Sequence, residues 1–343
     1  MSSLPTQIGW SNEDTTNAFD AVDAPWYEFG IAQEGPMFAA RDRNEFVHWV
    51  DPSSQTITVD YGRQRPIITL GHLLTNAIPI YTAMGINSTA GDPAVHTCTL
   101  VSPTQFLPEY QWRMQESGGI VNTIVEQYNC KTHSLRMVID RLNPMRAIQI
   151  IMGTDRWISD NTYWADGTTT AYGYTSLMNN PSLYTGTSAL GFYLDPLSEI
   201  TINGIDVSDY LVRAECNVSQ LPSFVYTSDE TFQEETFPSS IFESNPLIGV
   251  SCDFDFFMGI ENTLFKGLMD QSAYTISAKF YSDKSQTYYT HWNFTTSSYI
   301  NEVFMSIPQP LDPAVRLQRM RFMCDHTSEI KTVDGITTLP TFQ

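Results

Sequence analysis

Hydrophobic and polar positions alternate with a period of two over much of the chain. In 56–61, Ile57, Val59 and Tyr61 fall on one side and Thr56, Thr58 and Asp60 on the other, the pattern of a strand with one buried face. The period returns in GVSCDFDFF, where Val250, Cys252, Phe254 and Phe256 interleave with Ser251, Asp253 and Asp255. One face of that strand is core, and the other is polar and negative. Short runs rich in Val, Ile, Thr, Tyr and Phe, bounded by turn residues, predict more strands. They include EFVHWVD, HTCTLVS, LPEYQWRMQES, IVEQYNCKTHSLRMVID and MRAIQIIMG in the first half, then YTISAKFY, TYYTHWNF, INEVFMSIP and RLQRMRFMCD in the second. Asn203-Gly204, between Ile202 and Ile205, predicts a tight β-hairpin.

Two segments read as helices. In the first, Leu70, Leu73, Leu74 and Ile78 recur at helical spacing, with Pro79 to break the helix and Gly85 beyond it. In the second, ENTLFKGLMDQS puts Leu264, Leu268 and Met269 on one side. Residues 1–24 carry too few apolar positions for an element and read as an arm, 154–190 as a long polar loop or linker, and 327–343 as a polar tail. Residues 227–247 combine five acids with single phenylalanines and read as a solvated loop or hairpin tip.

The elements form two similar series: a hairpin, a long connection, a strand leading into one helix, then several long strands. LGHLLTNAI echoes ENTLFKGLM, and YQWRM at 110–114 echoes THWNF at 290–294. The expected fold is all-β dominated, with two tandem β-sandwich or barrel domains, 25–195 and 196–326, each bearing one short α-helix.

Composition narrows the function. With 343 residues, 42% of them hydrophobic, the chain can bury a large core. Its 38 acidic and 18 basic residues give a net charge of −20, which opposes general binding to nucleic acid. No apolar run is long enough to cross a membrane as a helix, and MSSLPTQIGWSNEDTT has no secretory pattern, so a soluble product not exported by that route is expected. The five cysteines have no CxxC spacing and read as small buried hydrophobes, and the six histidines form no metal motif. There is no GxSxG, Walker loop or GxGxxG fingerprint. Acid pairs such as Asp253 with Asp255, or Glu234 with Glu235, could serve a glycosidase in principle. A solvated strand face and a solvated loop explain them better.

ITINGIDVSDYL at 200–211, the GHLL segment at 71–74 and CKTHSL at 130–135 give the chain a resemblance, over residues 25–326, to the major tail tube proteins of long-tailed phages and related tailed viruses. That resemblance implies a structural virion protein of the tail, made in the host cytoplasm, with no enzymatic activity, no cofactor and no membrane contact. Its partners would be further copies of itself, tail-end and tape-measure-type proteins, and double-stranded DNA passing through without specific binding. Because such tubes present six barrels per ring, two tandem domains imply a trimeric ring with pseudo-sixfold symmetry, a hexamer being the alternative. In that setting the face bearing Ser251, Asp253 and Asp255 is expected to line an acidic bore. The loop holding Asp229, Glu230, Phe232, Glu234, Glu235, Phe237, Phe242 and Glu243, with a first-half counterpart near 51–66, is expected to reach into the next ring. A carbohydrate-binding or carbohydrate-hydrolysing β-protein, using Trp157, Trp164, Tyr172, Tyr174 and Tyr184 as sugar platforms, is the competing reading.

Overall fold

The computed structural model describes residues 6–11, 27–28, 40–41, 45–51, 56–61, 67–102, 105–117, 122–159, 191–219, 222–226, 238, 240–243, 249–257, 273–305, 317–324 and 327–339. The fold is all-β in class: one large antiparallel sheet, two separate two-stranded hairpins and, among the described residues, a single α-helix. The first half supplies β1 (Thr6–Ser11), β2 (Tyr27–Glu28), β3 (Ala40–Arg41), β4 (Glu45–Asp51), β5 (Thr56–Tyr61) and β6 (Ile67–Leu73). Helix α1 (Ile78–Met84) follows, then β7 (Gly85–Ala90), β8 (Val95–Leu100), β9 (Tyr110–Ser117), β10 (Asn122–Asp140), β11 (Arg146–Met152) and β12 (Asp155–Ser159). The second half supplies β13 (Glu199–Ile202), β14 (Ile205–Asp206), β15 (Leu211–Ser219), β16 (Pro222–Val225), β17 (Ser240–Glu243) and β18 (Gly249–Phe257). It ends with β19 (Ala273–Tyr281), β20 (Tyr289–Met305), β21 (Leu317–Cys324) and β22 (Glu329–Val333). The Asn203-Gly204 turn joins β13 to β14 with φ of 51° and 74°, the left-handed pair a tight hairpin requires.

Strand pairing repeats between the halves. β1 borders β2 and β9, as β13 borders β14 and β19. The long strand β10 borders β9, β11 and β12, as β20 borders β19, β21 and β22. The succession β3–β6–β11 corresponds to β15–β18–β21. Between the first two strands of each succession the chain leaves the main sheet as a hairpin, β4–β5 in one half and β16–β17 in the other.

Register repeats as well. The β10–β11 ladder slips between Thr132 and Ser134, and the β20–β21 ladder slips between Ile300 and Glu302. With those bulges aligned, Lys131–Met152 corresponds to Tyr299–Met323 and Met137–Ala147 to Met305–Gln318. The extra residue is His133 in one half and Asn301 in the other, so both strands bend at the same point. The duplication is carried by strand order and register, which side chains can satisfy in many ways as long as one face stays apolar.

Two ladders cross the middle of the chain: β10 pairs with β15 from Ser134–Ser219 to Asp140–Arg213, and β8 pairs with β22. The buried core is correspondingly one cluster, running from Leu70 through Trp112, Phe254 and Trp292 to Ile330.

Several expectations are corrected. Residues 67–73 are strand, not helix: Leu70, His72 and Leu74 are buried in alternation, and the polar appearance of His72 hid the period of two. Pro79 opens the helix instead of ending it, since a proline in the first turn gives up only an N–H that has no partner there. Gly85, at φ 98°, caps the other end, and its N–H bonds the carbonyl of Tyr81. YQWRM lies on β9, whose counterpart is β19, so its echo in THWNF on β20 is coincidental. The expected arm contains β1, held on the edge of β9, and 154–190 opens with β12; residues 160–190 and the predicted helix at 261–272 lie outside the described residues. The expected polar tail contains β22, and just beyond it the fully buried Asp334 accepts the N–H of Ala77 at 2.8 Å, capping α1 from the far end of the chain.

Candidate functional site

The polar face of β18 is built as the alternation demands, with Val250, Cys252, Phe254 and Phe256 in the core and Ser251, Asp253 and Asp255 on the other side. It is not a bare acidic face. The Asp253 carboxylate accepts two bonds from Arg321, Nε and Nη2 each at 2.8 Å. Asp255 accepts Arg319 Nε at 2.6 Å and Nη2 at 2.9 Å, with Arg213 Nη1 at 3.4 Å. On the neighbouring strand, Glu215 accepts both Arg136 nitrogens at 2.7 Å, Asn217 Nδ2 at 3.1 Å and a further bond from Arg213. Ser251, half-buried, sits between Asn217 and Met323 in register.

Geometry stacks this network in depth. The three acidic side chains keep 6–9% of their surface exposed, while the four arginine side chains keep between 27% and 47%. Acids lie beneath and arginines lie above, four positive groups over three negative ones. Burial alone would raise the Glu215 carboxyl, but the bonds from Arg136 and Asn217 outweigh it and hold the group below its ordinary range. Arg136 and Arg319 are held above theirs by the hydrogen bonds to Glu215 and Asp255. The expectation of a solvated acidic surface therefore fails for a physical reason: paired guanidiniums from adjacent strands cover the acids. This bidentate lattice locks β10, β15, β18 and β21 together across one face.

The second predicted group is only partly described. Asp229, Glu230, Phe232, Glu234, Glu235 and Phe237 lie outside the described residues. Phe242 and Glu243 are on β17, which pairs with β16 as a hairpin, and β4–β5 forms a hairpin at the counterpart site. Phe242 is 56% exposed. Glu243 turns inward: its carboxylate accepts Lys131 Nζ at 2.6 Å and the Leu107 N–H at 2.9 Å, pinning the hairpin base to the first half.

Sequence reasoning missed Arg136, Arg213, Arg319, Arg321 and Lys131. The signal existed in RLQRMRFMCD, where Arg319 and Arg321 alternate with Met320 and Phe322 exactly as Asp255 and Asp253 alternate with Phe254 and Cys252; pairing the two runs required knowing that they are neighbours. No protein-family model matches the sequence, and no curated protein matches it.

Proposed function

We propose that the chain is a structural virion protein that self-assembles into stacked rings forming a tail tube, a hollow conduit for double-stranded DNA delivery. The observation that supports this reading best is the duplicated strand order, whose two copies stand side by side in one sheet joined through β10 and β15. A unit that docks onto its own repeat by continuing a sheet is suited to docking onto further copies, and ring closure by rotation then leaves few bare edges. Two repeats per chain give three chains for a six-lobed ring, with six chains as the alternative. The partners in this reading are other copies of the chain, proteins of the tube ends and tape-measure type, and DNA in transit; the place of action is the virion tail.

In this reading the face bearing Ser251, Asp253 and Asp255 lines the bore. Each of its guanidiniums is engaged by a carboxylate, so phosphates sliding past meet a network of four arginines and three acids with one net positive charge instead of four free cations. Electron microscopy of the purified protein tests the proposal. Stacked rings with threefold symmetry and six lobes are expected; a protein that remains monomeric at every concentration, or forms only compact globular particles, overturns it.

A further inference from the structure

The aligned registers specify how one copy would meet the next. Across the strip the strands run β3–β6–β11–β10 and then β15–β18–β21–β20, the same four-strand unit written twice. The units meet where the C-terminal half of β10 pairs with β15, with Arg136 opposite Asn217 and Met137 opposite Cys216. At the ends of the strip stand the counterparts of those two strands. β20 corresponds to β10, and among the described residues its segment from Ile300 to Met305 is paired on one side only, with β21. β3 corresponds to β15, and among the described residues it is paired only with β6.

We propose that the partner of these two ends is a second copy of this chain, with β20 of one subunit pairing antiparallel with β3 of the next and reproducing the β10–β15 joint between molecules. The register follows from the ladders. Arg136–Ile148 corresponds to Phe304–Arg319, and Met137–Ala147 to Met305–Gln318. On the other side, Arg41 and Ala40 border Ile67 and Ile68, the positions that Ser251 and Cys252 occupy beside Asn217 and Cys216. Phe304 therefore stands opposite Arg41 of the next copy, and Met305 opposite Ala40. The contact is head-to-tail, so repetition closes a ring or extends a filament. The inference rests on the self-association in the proposed function, and not on a tail or on DNA.

Cysteine cross-linking tests it. Directly opposed positions on antiparallel strands bring Cβ atoms to within about 4.5–5.5 Å, close enough for a disulfide or a short thiol-reactive linker. The variants Ala40→Cys and Met305→Cys are purified separately, mixed and oxidised, and Arg41→Cys with Phe304→Cys serves as a second pair if either of the first folds poorly by circular dichroism. A linked dimer is expected from each mixture, with neither variant alone exceeding the background of the native cysteines. The double variant Ala40→Cys/Met305→Cys should give a ladder of linked species ending at the number of chains in the ring. Rings or tubes seen by microscopy without a linked dimer overturn this joint and leave the proposed function standing. Linked chains that form only open filaments without rings support the joint and overturn the tube. Protein that stays monomeric by light scattering at all concentrations overturns both.

Discussion

The two repeats share a skeleton and differ in what covers it. In register, Thr69 and Gly71 of β6 occupy the places of Asp253 and Asp255 of β18, and Ile150 and Ile148 of β11 occupy those of Arg321 and Arg319 of β21. Thus Ile150 stands beside Thr69 where Arg321 stands beside Asp253, and Ile148 beside Gly71 where Arg319 stands beside Asp255. One face is mostly aliphatic and half-buried, and the other is a lattice of ion pairs. Toward the core the corresponding strands of both repeats are mostly apolar, but the first carries His72 where the second has Phe256 and Gln149 where the second has Met320. Inward alternation holds the architecture, whereas the outward face is free to take either chemistry because cross-strand pairs of both kinds stabilise a sheet.

The comparison can be broken most severely from the inside. Phe254→Ala should destabilise by about 3–5 kcal/mol, and its counterpart Leu70→Ala by about 2–5 kcal/mol, since both side chains are fully buried. Chemical denaturation checks this, and a markedly smaller effect in one repeat would show that the halves do not contribute alike to the core.

On the outward face, Arg321→Ala should cost about 3 kcal/mol, the low end for a broken ion pair because the guanidinium is partly solvated, as it strands the buried Asp253 carboxylate. Arg319→Ala should cost less, because Arg213 still reaches Asp255. Grafting the first repeat's pair, Asp253→Thr with Arg321→Ile, should return stability to within about 1 kcal/mol of the parent. A double variant as unstable as the single one would mean that the two faces are not interchangeable.

Alternation made most strands legible, and with them the fold class. In 250–256 every second residue is apolar, so burial and its direction could both be read. Elements whose alternation is diluted were not legible. β1 shows only Ile8 and Trp10 on its apolar side, β22 buries Thr332 beside Ile330, and β6 buries His72 between Leu70 and Leu74. The charged face was half legible: the strand was found, but Asp253 and Arg321 are 68 residues apart, and sequence distance carries no sign of their pairing.

A milder disruption concerns the link between the repeats. Asp334→Ala removes the acceptor of the Ala77 N–H at the start of α1 and of the Ile336 N–H, and should cost about 2 kcal/mol, read as a shift in the denaturation midpoint.

A further effect is expected in the response to pH. Burial pushes His72 down to about 4 from its ordinary 6.5. Between those values the unfolded chain binds the proton and the folded chain does not, so stability rises with pH across the window and falls as the medium is acidified through it. His72→Phe, which installs the second repeat's residue, should flatten that slope in melting temperatures measured from pH 4 to 6.5. Glu215 acts in the same direction in a more acidic range: its depressed carboxyl stabilises the fold above the ordinary carboxylate range and loses that contribution in stronger acid.

The Asp334 cap also sets an order of events during synthesis. The acceptor lies 257 residues downstream of the N–H it satisfies, and β22 beside it completes the ladder begun by β8. Translation emits the helix early and its cap late, at about 5–20 residues per second, so α1 and β8 wait many seconds for Asp334 and β22. A chain cut short before residue 329 lacks both β22 and the Asp334 cap. Completion of the β8 edge and of the α1 cap is thereby tied to synthesis of residues 329–334.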